Sequence, residues 1–361
     1  MNKKIHVLYT IPNFDTAGSG KVVYDLVKNI NKDLFDISIV CNHNRGPFFK
    51  EIESLGYPIY LRSFTVSLKP YVTLLRRARS FKNFLKEKNI DVVHSWHWSS
   101  DWTEALSCKL ANVPFVYTKK SMGWGNRHWK IKSYLSSFIV SVNPAIHNFF
   151  KFKKNVTLIP FGADTNYYDP KGVNNSNQPN ESPFTIITVA NLVSVKNIEL
   201  IIDAVKQLKH LNVELQIVGD TRSDYAKSLQ NLINEHDLNS SVIFKGKHSD
   251  VRPFLKEADV FVISSINEGM PMALVEAMAM ALPVLGSDIP GISYVLDDFK
   301  EYLFRLDSKE ELSTKIEAIF NMSVSERKKI GEQMRDYCIN NLSMQRFIER
   351  HESLYSKVSG N

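Results

Sequence analysis

Short apolar segments rich in Val and Ile alternate with longer, helix-like segments along most of the chain. In the first half, seven segments have the composition of buried strands: KIHVLYTI, FDISIVC, PIYLRS, DVVHSW, PFVYTK, FIVSV and VTLIPF. In the second half, five segments do: FTIITVAN, VELQIVGD, SVIFKGK, DVFVISS and PVLGSD. Near-continuous apolar strands separated by helices indicate parallel sheets that are covered on both faces. The pattern therefore predicts an α/β protein with two Rossmann-like domains.

The predicted domain boundary is a polar segment, DPKGVNNSNQPNESP at residues 169–183, which carries no periodicity and is typical of a linker. We expect a first domain at residues 1–168 and a second at 184–342. The last helical pattern, at about 343–357, has apolar residues at spacings of four and three, and we expect this helix to pack back on the first domain. Two such domains bind ligands in the cleft between the carboxyl ends of their strands.

The composition is that of a soluble globular protein, with 361 residues, of which 43% are hydrophobic and 23% charged. No segment approaches the roughly 18 uncharged apolar residues of a membrane span. The N-terminal apolar run is too short for a signal peptide. Three widely spaced cysteines, Cys41, Cys108 and Cys338, suit a reducing compartment and show no metal-binding spacing. We expect a cytoplasmic protein.

The net charge of +7 is unevenly distributed. Residues 1–165 carry 24 Lys and Arg against 11 Asp and Glu, a net charge of +13, whereas residues 166–361 carry 21 against 27, a net charge of −6. Part of the positive charge lies in RRARSFKNFLKEK at 76–88. A strongly basic half indicates an anionic partner. An anionic membrane surface is one candidate, and a solvated surface without a partner is the alternative.

The segment TAGSGKVV resembles a phosphate-binding loop but lacks the required residues. A P-loop would need Gly where the chain has Asp15 and Ser or Thr where it has Val22. A dinucleotide-binding loop would need a third glycine where the chain has Val23. What remains is a strand-to-helix turn with Gly18 and Gly20, whose helix N-terminus is suited to an anion.

The segment VISSINEGMPMALVEAMAMALPVLGSDIPG carries the strongest chemical signal. Pro271 is suited to the first helical position, and strong helix formers follow it. The amides of Gly269 and Met270 would then face a ligand diphosphate at the positive end of the helix. Glu268 precedes the helix, where it is also suited to be a simple cap. Glu276 lies among apolar residues and needs a partner, such as the hydroxyl groups of a ribose.

The segment EGMPMALVEAMA has two glutamates eight positions apart, and PVLGSDIPG follows it. Together they closely resemble the motif of retaining glycosyltransferases of family 4, which have the GT-B fold. The resemblance extends over nearly the whole chain. It includes TAGSGKVVYDL, DVVHSWH, LIPFGADTNYY and VANLVSVKN, in the order and at the distances found in that family.

The resemblance implies that the second domain binds a nucleotide-sugar donor, for which we expect UDP. Glu276 would hold the ribose and Glu268 the donor sugar. Lys196 would bind the diphosphate and assist catalysis. Asn191 stands where the family has an arginine, which removes a charge from the donor site. Backbone around Pro271 would complete the donor contacts.

The first domain would provide further contacts. By resemblance, backbone at Gly18 and Gly20 would approach the donor phosphate or the acceptor. Lys120 stands at the position of a catalytic histidine of the family. We expect acceptor contacts from three nearby polar residues, Lys119, His97 and Asp101. His94 is expected to be structural.

Other enzyme classes lack support. The chain has no Asp-x-Asp motif of metal-dependent GT-A transferases, no Gly-x-Ser-x-Gly and no His-Glu-x-x-His. It also has no nucleic-acid-binding motif. A nucleotide-sugar epimerase of GT-B fold and a nonenzymatic nucleotide-sugar-binding relative remain as alternatives.

We therefore expect a cytoplasmic, metal-independent hexosyltransferase of surface polysaccharide assembly that needs no cofactor. Its acceptor would be a saccharide or a lipid-linked saccharide, and it would bind peripherally to the inner face of the cell membrane.

Overall fold

The structure, a computed structural model, describes residues 3–15, 17–173 and 182–360. Thr16 of the glycine-rich segment and residues 174–181 of the predicted linker lie outside the described residues. Contacts divide the chain into two compact units. One contains Met1–Phe161 and Gln345–Asn361, and the other contains Gly162–Met344.

The first unit is built on a seven-stranded parallel sheet with the order β3-β2-β1-β4-β5-β6-β7. Its strands are β1 Ile5–Thr10, β2 Phe35–Cys41, β3 Ile59–Leu61, β4 Val92–Ser95, β5 Phe115–Lys119, β6 Phe138–Ser141 and β7 Val156–Leu158. The helices of this unit are α1 Ala17–Asn29, α2 Pro47–Ser54, α3 Leu74–Glu87, α4 Thr103–Ala111, α5 Arg127–Leu135 and α6 Pro144–Asn148, with a short 3₁₀ helix at Tyr71–Thr73.

The second unit has a six-stranded parallel sheet with the order β10-β9-β8-β11-β12-β13. Its strands are β8 Phe184–Val189, β9 Val213–Val218, β10 Val242–Gly246, β11 Val260–Ile263, β12 Val284–Ser287 and β13 Leu303–Phe304. The α-helices that follow residue 183 are α7 Ile198–Gln207, α8 Asp224–Glu235, α9 Arg252–Glu257, α10 Met272–Ala279, α11 Pro290–Val295, α12 Lys309–Phe320, α13 Val324–Asn341 and α14 Met344–Ser359. Short 3₁₀ helices lie at Pro170–Gly172, Ser194–Lys196 and Lys300–Tyr302.

The central strands are apolar on both faces because helices cover both sides of each sheet. In β1 and β4, for example, Val7, Leu8, Val92 and Val93 have no exposed surface. The structure contains all twelve strands that the apolar segments predict. It adds β13, whose two residues are too few to show a pattern. The predicted fold class is thereby confirmed.

Each sheet has a point at which the strand order reverses, between β1 and β4 in the first unit and between β8 and β11 in the second. At such a point the connections leave in opposite directions, which opens a crevice at the carboxyl ends of the strands. Thr10 and Ser95 are register partners at this edge of the first sheet. The residues predicted to carry chemistry follow these strand ends.

Helix α14 belongs to the first unit through a buried aromatic and histidine cluster. The Tyr355 hydroxyl accepts a hydrogen bond from Tyr9 Oη at 3.0 Å and lies 2.6 Å from His94 Nδ1. His94 Nε2 is 2.8 Å from Thr118 Oγ1, and the His94 ring is stacked on His351. Burial holds the pKa of His94 well below its usual value, with His351 and Lys120 adding to the shift. His94 therefore has the structural position that the sequence predicted.

Candidate active site

In the second unit, the loop after β11 is fastened to the loop after β8. Ser264 Oγ donates hydrogen bonds to the carbonyl oxygens of Lys196 at 3.0 Å and Asn197 at 2.7 Å. The amide of Ile266 donates to the carbonyl of Val195 at 2.9 Å. Asn197 has a left-handed backbone, with φ at 50°, and ends the 3₁₀ turn that presents Lys196. These bonds hold two loops together at the strand-order reversal.

Lys196 and Glu268, which are 72 positions apart in the sequence, form an ion pair in this structure. Ser265 Oγ also donates to the same carboxylate oxygen, Glu268 Oε1, at 3.0 Å. The two charged side chains retain only 23% and 15% of their exposure. An ion pair that is partly shielded from water is stronger than one at an open surface. The structure thus brings together two residues that the sequence predicted for the donor site.

The helix after this pair begins one residue later than predicted. Pro271 has an extended backbone, with φ at −82° and ψ at 107°, and occupies the cap position, whereas α10 begins at Met272. The Pro271 carbonyl accepts from the Val275 amide at 3.4 Å. Gly269 is half-buried and Met270 is buried. The positive end of α10 therefore directly follows the loop that carries Glu268.

Glu276 lies in the second turn of α10 and is half-buried between fully buried neighbours, Val275 and Ala277. Asn191 lies in the loop after β8 and is exposed. Both positions are near the carboxyl edge of the second sheet, where the sequence placed the donor. Their roles stay predictions.

In the first unit, Gly18 and Gly20 lie inside the first turns of α1, which begins at Ala17, and not in a turn before the helix as the sequence indicated. A side chain at Gly18 would meet no other atom within 4 Å, so internal packing does not explain the glycine. Between them, Ser19 Oγ accepts a hydrogen bond from Lys120 Nζ at 2.7 Å. The helix start is thereby connected to the loop after β5.

Lys120 is held by two acceptors, Ser19 Oγ and the carbonyl of Trp96 at 2.8 Å. Burial lowers the pKa of its ammonium group to about 7, and the nearby charge of Lys132 adds to the effect. A lysine with such a pKa is present in both protonation states at neutral pH. It can donate a hydrogen bond in either state, as the family's histidine can.

The acceptor candidates have different surroundings. The Lys119 ammonium lies 4.3 Å from the centre of the Trp129 ring and 3.1 Å from Ser121 Oγ. Burial lowers the pKa of Lys119 to about 8, with the charge of Lys132 adding to the shift. Asp101 Oδ1 accepts from the amide and the hydroxyl of Thr103, at 2.7 and 2.6 Å, in the turn that precedes α4.

His97 lies edge-on to Phe64, with ring centres 5.3 Å apart. Burial lowers its pKa to about 3, with smaller effects from Lys132 and Lys120, so the ring is neutral at physiological pH. Within the described part of the chain, His97 Nδ1 and the neighbouring Trp96 Nε1 are buried without a hydrogen-bond partner. Unpaired buried polar atoms are costly unless a ligand or water pairs with them.

The sequence did not identify Glu104, which is fully buried beneath this edge. Its carboxyl group accepts hydrogen bonds from Thr10 Oγ1 and from Ser95 Oγ, the latter at 2.7 Å, and so connects the ends of β1 and β4. Burial raises its pKa to about 7, although Lys132 opposes the shift. The argument that identified Glu276, a charge among apolar helix residues, applies equally to Glu104 in TEALSCKLA and would have found it.

Two features relate to metal ions and membranes. Within the described residues, no group of three or more His, Cys, Asp or Glu side chains is arranged to hold a metal ion. No helix in the same part of the chain has the length and apolar character needed to cross a membrane.

Two family profiles match consecutive parts of the chain. The profile described as Glycosyltransferase Family 4 matches residues 16–167, and the profile described as Glycosyl transferases group 1 matches residues 173–337. Together they extend over both units.

Relatives of known name match most of the chain. It is 26% identical to the capsular polysaccharide biosynthesis glycosyltransferase CapH of Staphylococcus aureus over 84% of this chain and 87% of that protein. It is 23% identical to UDP-Gal:alpha-D-GlcNAc-diphosphoundecaprenol alpha-1,3-galactosyltransferase of Escherichia coli over 92% of this chain and 91% of that protein.

Solved structures share the fold. A glycosyltransferase from Rickettsia africae ESF-5 has a TM-score of 0.85 and 21% identity, covering 99% of this chain and 100% of that one. Anabaena Alr3699/HepE in complex with UDP and glucose has a TM-score of 0.79 and 16% identity, covering 97% and 99%. The predicted family is confirmed: the chain belongs to glycosyltransferase family 4 and has the GT-B fold.

Proposed function

We propose that the chain is a retaining hexosyltransferase of surface polysaccharide assembly that transfers a sugar from a UDP-linked donor to a saccharide or lipid-linked saccharide. The relatives named for capsular polysaccharide and for a diphosphoundecaprenol acceptor support this setting. The observation that carries the proposal is the ion pair between Lys196 and Glu268 at the carboxyl edge of the second sheet.

This edge has the groups that a nucleotide-sugar donor needs. Lys196 provides a cation and the start of α10 a positive dipole, and both suit a diphosphate. Glu268, oriented by Lys196 and Ser265, is positioned to accept hydrogen bonds from sugar hydroxyl groups. Glu276, in the second turn of α10, is assigned to the ribose. Support for UDP comes from the neighbour solved with UDP and UDP-glucose and from the UDP-Gal relative.

The reaction follows the family's front-face route. The bond between the anomeric carbon and the diphosphate oxygen breaks, and a bond to the acceptor hydroxyl oxygen forms on the same face. The departing diphosphate takes the acceptor proton. Lys196 and the amides at the start of α10 stabilise the charge that develops on the diphosphate. We propose a catalytic role for Lys120 as well, on the resemblance to the family and its lowered pKa. We propose that these groups replace a metal ion.

The membrane part of the proposal rests on α3. The 3₁₀ helix before α3 and the first turn of α3 expose Val72, Tyr71 and Leu75, with exposed fractions of 92%, 57% and 57%. Arg76 and Arg79 are exposed beside them. Exposed apolar side chains next to cations suit the surface of an anionic membrane. We therefore propose that the protein binds peripherally to the cytoplasmic face of the cell membrane.

The test is incubation of the full chain with a panel of UDP-, GDP- and ADP-linked hexoses, followed by mass spectrometry. We expect the protein to transfer or slowly hydrolyse the UDP-linked sugars and to leave the GDP- and ADP-linked sugars unchanged. Conversion to an isomeric UDP-sugar would instead make the protein an epimerase, and binding without any turnover would make it a nonenzymatic relative.

A further inference from the structure

The first unit has an apolar groove that the donor and acceptor residues do not use. It has a volume of about 500 Å³ and lies between α5, the loop before α5 and the segment after α6. Its apolar lining consists of Trp124, Ile131, Tyr134, Leu135, Phe149 and Phe152. Concave, mostly apolar sites of this size are typical of small-molecule binding.

The lining is unusually exposed for such side chains. Tyr134 retains 75% of its exposure, Phe152 56% and Ile131 37%. The Trp124 ring centre lies 6.1 Å from the ring centres of both Phe149 and Phe152, so the aromatic residues form one contiguous surface. Single exposed apolar residues need no explanation, but a contiguous patch marks a binding surface.

The segment that forms the groove carries only positively charged side chains. Residues 105–163 contain nine Lys and Arg and no Asp or Glu. Arg127 and Lys130 are exposed on α5, and Lys151 and Lys154 are exposed on either side of Phe152. An apolar groove with a cationic rim is complementary to a ligand with one hydrocarbon chain and an anionic head group.

The opposite side of α5 faces the candidate active site. Lys132 Nζ donates to the carbonyl of Ser99 at 3.2 Å, and Trp129 lies against the Lys119 ammonium at 4.3 Å. The groove is therefore separated from Lys119 by the width of one helix, about 10–12 Å. A head group at the rim would lie close to the residues assigned to the acceptor.

We propose that this groove binds the hydrocarbon chain of a lipid-linked diphosphate acceptor, with the diphosphate at the cationic rim. This inference rests on the proposed function, because it gives a site to the acceptor class named there. The position of the groove, one helix width from Lys119, favours the hydrocarbon chain of an acceptor over an unspecific membrane contact.

The test is calorimetric titration of the full chain with farnesyl diphosphate, farnesol and inorganic pyrophosphate. Farnesyl diphosphate is expected to bind at least tenfold more tightly than either fragment. Phe152→Glu and, as a second variant, Tyr134→Glu should each weaken its binding at least tenfold. Leu34→Glu is the matched control, because Leu34 is 53% exposed on the same unit, and it should change the affinity less than twofold. Circular dichroism verifies that each variant is folded.

Equal affinity for pyrophosphate and farnesyl diphosphate, or unchanged affinity in both folded groove variants, would overturn the proposal. If these variants lose binding to vesicles but keep their affinity for farnesyl diphosphate, the groove contacts the membrane and does not bind the acceptor. Titration with UDP separates this inference from the proposed function. If the protein binds UDP but not farnesyl diphosphate, only the assignment of the groove is wrong. If it binds farnesyl diphosphate but not UDP, only the assignment of the donor is wrong.

Discussion

Two side chains at the carboxyl edge of the first sheet, the half-buried Lys120 and the fully buried Glu104, have opposite pKa shifts. Burial lowers the pKa of Lys120 and raises that of Glu104, and both arrive at about 7. The charge at this edge therefore changes near neutral pH. Because perturbed pKa values concentrate at functional sites, the pair supports this edge as part of the active site.

Replacing Glu104 by Gln should change how stability depends on pH. The pKa of Glu104 is raised from 4.5 to about 7, so between these values the folded state holds a proton that the unfolded state has lost. The native protein should therefore lose stability relative to Glu104→Gln as the pH rises from 4.5 through 7. Urea unfolding at pH 5 and pH 8 measures this. An equal stability difference at both pH values would contradict the shift.

Glu276→Ala should weaken UDP binding and leave the fold intact. A hydrogen bond to a charged group contributes about 1.5–3 kcal/mol, which corresponds to roughly 10- to 150-fold in affinity. Calorimetry with UDP measures the effect. Glu235→Ala is the matched control, because Glu235 is exposed at the end of α8, and it should leave the affinity unchanged. Native affinity in Glu276→Ala would remove Glu276 from the ribose site.

At the scale of elements, the start of α11 packs tightly on the loop that carries Glu268. A side chain at Gly291 would lie 2.3 Å from the Glu268 carbonyl oxygen and 2.9 Å from that of Gly269. Neither backbone atom can give way without moving the loop. The second glycine of PVLGSDIPG, Gly291, is therefore required because a side chain there would collide with the Glu268 loop.

Gly291→Ala should displace this loop and reduce donor turnover at least tenfold, with a loss of stability of about 1–3 kcal/mol from overpacking. Steady-state rates and urea unfolding measure the two effects. Gly172→Ala, where a side chain meets nothing within 4 Å, is the control. Native turnover in Gly291→Ala would show that the loop tolerates the shift.

Two of the three arginines of α3 are suited to a test of membrane binding, and the third has a structural role. Arg77 donates to the carbonyls of Ser67 at 2.7 Å and Pro70 at 3.0 Å, so it supports the preceding turn. Arg76 and Arg79 are exposed and serve the test.

Arg76→Glu combined with Arg79→Glu should reduce sedimentation with anionic vesicles and leave UDP affinity unchanged. Each basic residue near an anionic surface contributes about 1 kcal/mol, and salt weakens the effect. Equal sedimentation of the native protein with neutral and anionic vesicles, or none with either, would remove the membrane from the account.

At the scale of the whole molecule, the sequence predicted most of the architecture because buried parallel strands leave a strong local signal. The signal fails where an element is short, as in β13. It fails also where glycines enter a helix, as Gly18 and Gly20 do in α1, because glycine usually indicates a turn.

The candidate site was predictable where a motif combined several residues, as in the segment of Glu268 and Glu276. Pairings between distant residues were not predictable, because they arise only when the strand ends meet at one edge. The ion pair of Lys196 with Glu268 and the contact of Lys120 with Ser19 are of this kind.

The central claim is that the edge with Lys196 and Glu268 activates a UDP-linked sugar without a metal ion. The most direct measurement is UDP release from the UDP-hexose found by the donor panel, in excess EDTA, by the native protein and by Lys196→Ala. The account predicts release by the native protein and at least a hundredfold slower release by the variant, because the departing diphosphate loses its cation. Release that requires added magnesium, or equal rates for both proteins, would contradict it.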